Sequence, residues 1–269
     1  MAAVNIPDIH AIAVTLLGSS ELIYKQSLPV PRTIDVDKLQ AGEFDFSDGA
    51  TPAGAQSKHD FKHQGLFIET HRPLDPDPAH SIGFSSTFAG ARLPSPPPVD
   101  RPLPLNFIVA ATFQKIKMAP DETGFVQGNW GATVGVFRQP ADGIIKQDDF
   151  FGASARVRDN SRVHLNVPGT GAHLTLPDLP EEDFNEIMNE NVPFTLAFHV
   201  KRSAASSTGH GFFFIRETQV DATPQFTFGN GLTSATPLRS VAVGIATAGG
   251  SRFKVSTDIL EFEVWGPTS

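Results

Sequence analysis

The sequence predicts an all-β protein, and three observations carry that prediction. The first is a succession of short apolar runs separated by turn residues through the last quarter of the chain: FTLAFHV (194–200), GFFFIR (211–216), QFTF (225–228), SVAVGIA (240–246) and ILEFEVW (259–265). They are rich in Phe and Val and too short for helices. The second is strict alternation. In the last run Leu260, Phe262 and Val264 point one way and Glu261, Glu263 and Trp265 the other, the mark of a half-buried strand. The third is a hairpin over 151–167 whose register is self-consistent. With Asp159, Asn160 and Ser161 as its loop, Val157 faces Val163 and Ala155 faces Leu165 on the core side. Arg158 then faces Arg162, and Arg156 faces His164, on the other side. A two-residue loop would oppose Val157 to Arg162 and mix the faces.

Taken in order, HAIAVTLL (10–17) is mostly β-branched or apolar and ends at Gly18. We read it as a buried strand, with a short helix as the alternative. Residues 33–37 and 43–47 read as strands, the second ending at the Asp48-Gly49 turn, and 65–70 as a third. Between 72 and 105 prolines crowd at 73, 76, 78, 94, 96, 97, 98, 102 and 104, several where they would break a ladder. This is either a linker or a long surface excursion of one domain. The second is favoured, with a strand embedded over 81–88, because the segments before it are too few for a separate core.

Residues 105–118 form a long strand with Leu105, Phe107, Val109, Ala111 and Phe113 on one face. Residues 131–138 follow, with Ala132, Val134 and Val136 sharing a face. The one convincing helix start is DLPEEDFNEIMNE (178–190). Asp178 is placed to cap it, Pro180 suits the first turn, and Glu181 and Glu182 lie near the positive end of its dipole. No internal repeat supports a propeller or solenoid. One domain over 1–269 is expected, with 1–104 irregular and 105–266 the regular β region.

Composition narrows the function classes. The 269 residues are 40% hydrophobic and 19% charged, and 22 Phe against 1 Tyr and 2 Trp mark aromatic mass used for packing. With 21 basic and 29 acidic side chains the net charge is −8, which opposes a general attraction to nucleic acid or an anionic membrane. There is no cysteine, hence no disulfide framework and no thiolate metal site. The first residues lack the basic start and apolar run of a signal peptide, so a cytoplasmic location is expected, with a secreted mature form still open.

The strand order, together with VGI (243–245), Gly249-Gly250 and FEV (262–264) near the end, resembles the concanavalin A-like lectin/glucanase superfamily, nearest its laminin-G-like jelly-roll members. The resemblance covers 105–266. It implies two curved antiparallel sheets packed face to face, a jelly-roll sandwich, to which the residues themselves add one short helix and a long Pro-rich loop. It also implies carbohydrate bound on the concave face or at the loops along one rim.

Each candidate site also has a plainer role. Arg156, Arg158, Arg162 and His164 form a basic ladder on the hairpin; opposed like charges destabilise, so compensating acids or an anionic ligand are required, with Glu261 and Glu263 as candidates. A solvated, ion-paired face is the simpler expectation. Trp130 in QGNWG (127–131) sits in a Gly-flanked loop and could stack on a sugar with Gln127 and Asn129 as hydrogen-bond partners, or merely close the end of the sandwich. HDFKH (59–63), with Glu69 and His71, is read as an exposed loop, and no metal or cofactor is expected. His199 is read as structural, and Ser206, Ser207 and Thr208 as a hairpin connection.

Glycosidases of the superfamily carry alternating carboxylates on one strand. Glu43 and Asp45 match two positions before Ser47, and Glu261 and Glu263 match two before Trp265; both pairs are read as ordinary edge or surface carboxylates. No phosphate loop, nucleophile elbow or Cys-His pair is present. The function expected is a non-catalytic carbohydrate-binding module. A glycoside hydrolase or polysaccharide lyase is one alternative, and a structural β-sandwich that assembles into a homo-oligomer is another.

Overall fold

The computed structural model describes residues 6–27, 45–47, 56–62, 65–71, 87–94, 103–120, 130–138, 150–158, 162–167, 174–189, 191–228, 232–236, 238–247 and 253–268. Two antiparallel sheets build it. The strands are β1 (Glu21–Ser27), β2 (Asp45–Ser47), β3 (Gln56–Lys62), β4 (Gly65–His71), β5 (Thr87–Pro94), β6 (Asn106–Pro120), β7 (Trp130–Arg138) and β8 (Phe150–Arg158). They continue with β9 (Arg162–Val167), β10 (Leu174–Thr175), β11 (Phe194–Arg202), β12 (Ser207–Ile215), β13 (Thr218–Ala222), β14 (Phe226–Thr227), β15 (Leu238–Thr247) and β16 (Phe253–Gly266).

The nine-stranded sheet runs β13-β12-β11-β6-β16-β4-β3, with β1 also on β16 and β14 on β12; the seven-stranded sheet runs β10-β9-β8-β7-β15-β5-β2. β16 is a junction. Its first half pairs with β4, its second half with β1, and its other edge with β6 along nearly its whole length.

The core lies between the sheets and is filled from both. Phe107, Val109, Ala111 and Phe113 of β6 meet Val134 and Val136 of β7, Phe151 and Val157 of β8, and Val163 and Leu165 of β9. Alternation along each strand puts one residue in two into this layer. Phe107, Phe113, Phe151, Phe194, Phe198, Phe213 and Phe262 are fully buried, and burial of each stabilises the fold by about 1.5–3 kcal/mol. Phe113, Phe194 and Phe213 form a stacked and edge-to-face run across β6, β11 and β12. The all-β two-sheet architecture expected from the sequence is the one observed.

The β8–β9 register is as the sequence implies: Val157↔Val163, Ala155↔Leu165, Arg158↔Arg162 and Arg156↔His164. Val157, Ala155, Val163 and Leu165 are at most 1% exposed.

Other expectations are corrected. Residues expected as a strand at 10–17 form helix α1 (Ile9–Leu17). The Asp8 carboxylate accepts from the Ala11 N–H at its start, and Gly18, at φ 81°, closes its end by donating its N–H to the Val14 carbonyl. The helix buries Ile9 and Ala13, one turn apart, against Ile108, Ala110, Ala197, Phe212 and Phe214 on the outer face of the nine-stranded sheet. A uniformly apolar run fits a buried strand or a covering helix equally well, and the caps decide it.

The second helix, α2 (Glu181–Met188), forms where expected, but Pro180 occupies its N-cap without a side-chain bond, and Asp178 does not cap it. In β16 the ladder shifts between Ile259 and Glu261, so Leu260 occupies a bulge and Ile259 takes the core position expected for Leu260. Residues 59–62, read as loop, belong to β3 and pair with β4. The strand expected over 81–88 coincides with β5 only at Thr87 and Phe88; 81–86, like 33–37, lie outside the described residues.

Candidate functional site

On the outer face of the nine-stranded sheet, the second half of β16 presents Glu261, Glu263 and Trp265 in alternate positions. Cross-strand neighbours complete the face: Thr195, Thr112 and Glu261 lie in one row, and Ala197, Ala110, Glu263 and Lys25 in the next. β16 lies between β6 and β1, so these are carboxylates of an interior strand and not the edge or surface groups expected. The Glu261 and Glu263 side chains are 15% and 9% exposed.

Lys25 holds them together. Its Nζ donates to Glu263 Oε1 at 2.5 Å and pairs with Glu261 Oε1 as well. Trp265 Nε1 donates to Glu263 Oε2 at 2.7 Å, so both oxygens of Glu263 are engaged. The Trp265 ring stacks on His10 of α1, with ring centroids 4.8 Å apart and planes 21° from parallel. Beside them the Thr112 and Thr195 hydroxyls meet at 2.9 Å.

These groups line a cleft of about 250 Å³ between the sheet and the segment leading into α1, with Asp8, His10, Lys25, Thr112, Glu261 and Glu263 supplying its polar wall and Ala110 and Trp265 part of its apolar one. Three carboxylates face one ammonium and one imidazole. The excess of acceptors suits a ligand that brings hydrogen-bond donors. Lys25, Asp8 and His10 are absent from the sequence-based candidates, because β1 gives no alternation signal and its partner strand lies at the other end of the sequence.

The sequence-based candidates are distributed elsewhere. Arg156, Arg158, Arg162 and His164 sit on β8 and β9 of the seven-stranded sheet. The acid beside them is Asp178, not Glu261 or Glu263, which belong to the other sheet. Asp178 Oδ2 lies 3.5 Å from Arg162 Nη1, and its Oδ1 lies 3.3 Å from His164 Nδ1. His164 is 2% exposed, whereas the Arg162 side chain is 64% exposed. Arg156 is half-buried. Trp130 opens β7, opposite Val157 and Thr247, and is not in a loop as expected; Gln127 and Asn129 lie outside the described residues.

His199 is not alone. It stands directly opposite His210 across β11 and β12, and its Nε2 lies 2.6 Å from Asn106 Oδ1. A hairpin joins these strands as expected, but Ser207 and Thr208, expected in its connection, already belong to β12, opposite Arg202 and Lys201. Arg202 is itself buried, and its guanidinium donates to the carbonyls of Thr233, Ser234 and Thr236, fixing that turn against the hairpin. Burial holds its pKa below the usual value. Arg202 is a structural cation satisfied by carbonyl dipoles.

No protein-family model matches the chain, and no curated protein matches it. Among solved structures it is similar to SCLam, a non-specific endo-β-1,3(4)-glucanase from family GH16 (10% identity over 94% of this chain and 93% of that one, TM-score 0.49). It is similar to the PL-14 alginate lyase of Aplysia kurodai (10% identity, 92% and 100%, TM-score 0.48) and to lectin II of Ulex europaeus (9% identity, 84% and 100%, TM-score 0.39). At this identity the likeness says nothing about ligand or chemistry.

Proposed function

We propose that the protein is a non-catalytic carbohydrate-binding module whose ligand sits in the cleft beside Glu261, Glu263 and Trp265. The observation that supports this most is the presentation of two neighbouring carboxylates and a hydroxyl pair beside an aromatic wall in a small concavity. Sugar hydroxyls donate well to carboxylates, and a ring's apolar face packs on aromatic carbon. The cleft, at about 250 Å³, is smaller than the roughly 300 Å³ at which drug-sized sites begin, which suits a single sugar ring.

Glycosidic hydrolysis by the same two carboxylates is the competing reading, since alternate positions on a strand stand about 6.6 Å apart, within the range of catalytic pairs. Binding is favoured because Glu263 already accepts from Lys25 and Trp265 at its two oxygens, leaving neither free of a fixed donor to hand a proton to a leaving group. A second location, the hairpin face of Arg156, Arg158, Arg162 and His164, is favoured by the exposed Arg162, which shares Asp178 with His164; Trp130, opposite the core-facing Val157, belongs to the other face.

A glycan array probed with and without calcium tests the reading, with Glu261→Gln and Arg158→Ala/Arg162→Ala as variants. Saturable binding lost in Glu261→Gln and kept in the arginine variant supports the cleft. The reverse pattern moves the site to the hairpin, and shortened glycans recovered after incubation would sink the non-catalytic assignment.

A further inference from the structure

The outer face of the nine-stranded sheet carries a second set of groups that the cleft does not use. His199 and His210 are directly opposed on β11 and β12, where same-face Cβ atoms stand about 4.5–5.5 Å apart. One divalent ion bonded to an imidazole nitrogen from each side, at about 2.0–2.1 Å per bond, fits that spacing.

The His199 ring is also held by an oxygen. His199 Nε2 is 2.6 Å from Asn106 Oδ1; an amide oxygen only accepts, so this nitrogen carries the hydrogen and Nδ1 keeps a bare lone pair. The Thr223 backbone beside His210 favours its protonated form, against the burial that lowers its pKa. Among the described residues neither ring has a further hydrogen-bond partner. Ligating histidines characteristically donate their second nitrogen to an oxygen in this way, which fixes the tautomer and aims the lone pair.

Burial, reinforced for His199 by His210 and then Lys201, holds both rings below the ordinary range, His199 at about 4. Both are therefore neutral at physiological pH, the form that ligates.

We infer that His199 and His210 form a two-histidine site for a late first-row divalent metal ion, Cu²⁺ or Zn²⁺, with Asn106 as the residue that positions His199. Imidazole suits these ions, and water completes the coordination. The Lys201 ammonium on the same face opposes a second cation and keeps the affinity modest. The site stands independently of the cleft, since the two share no residue.

The test is Cu²⁺ alone added to the purified, chelator-treated protein, followed by electron paramagnetic resonance and by titration with Zn²⁺ against a chromogenic chelator. The expected result is one site with two bound imidazole nitrogens. His199→Gln and His210→Gln each lose at least about 10-fold in Zn²⁺ affinity, Asn106→Ala loses about 10-fold through positioning alone, and Lys201→Ala gains a few-fold. The wild-type spectrum does not depend on how a variant folds. A single-imidazole signal there, equal affinity in a folded His199→Gln/His210→Gln double variant, or no Zn²⁺ bound at about 1 mM would each overturn the site.

Discussion

Two ion clusters, one on each sheet, use similar side chains to opposite effect. On the nine-stranded sheet Lys25 answers two carboxylates; on the seven-stranded sheet Asp178 answers an arginine and a histidine. The first has acceptors to spare and its members are held by ladder register, Lys25 opposite Glu263. The second has donors to spare, and its acid comes from the approach to α2, not from a strand. What differs is which partner is singular. Where one cation is shared by two largely buried acids, removing it leaves like charges together; where one acid is shared with an arginine 64% exposed, water replaces much of what is lost.

The sharpest way to break this contrast is Lys25→Met. It leaves Glu261 and Glu263 side by side with little solvent, and a loss of about 2 kcal/mol in urea unfolding is expected, discounted from the cost of a fully buried pair because Lys25 itself is 40% exposed. Adding Glu261→Gln and Glu263→Gln to that variant should recover at least about half of the loss, because the repulsion disappears with the charges. Failure to recover would mean that Lys25 acts through packing of its stem instead. Asp178→Asn should cost about 1 kcal/mol by the same measurement, since His164 is buried beside it and loses a charged partner. Arg162→Ala should change stability by less than about 0.5 kcal/mol and by nothing measurable in 1 M salt. A larger Arg162 effect than Lys25 effect would reverse the comparison outright.

How much of this was legible follows from the range of each signal. The β8–β9 hairpin was readable to the residue because a period of two and a short loop leave one register that keeps Val157, Val163, Ala155 and Leu165 together. The outward row Glu261, Glu263, Trp265 was readable for the same reason. The bulge at Leu260 was not, since a bulge is set by what two neighbouring strands demand at once. α1 was missed although its stops were visible: Asp8 before the run and Gly18 after it are cap residues, and Ile9, Ala13 and Leu16 recur at helical spacing. The candidate site was half legible. Its acids lie in one strand, but Lys25 meets them across a separation of more than two hundred residues, which only the strand order supplies. Asp178 was assigned to the helix next to it because local capping rules compete poorly with a buried histidine brought in from β9.

The junction at β16 bears on how the chain is made. β16 comes after every other strand in sequence, yet it is the partner of β6, β4 and β1 together. While synthesis proceeds from the N-terminus, β6 can pair with β11 on one side only, and β1 has no strand to close against. Both edges that β16 will fill stay open until its residues leave the ribosome. The nine-stranded sheet therefore closes in one late step, and the half-sheet that precedes it is the form most exposed to edge-to-edge association with other nascent chains.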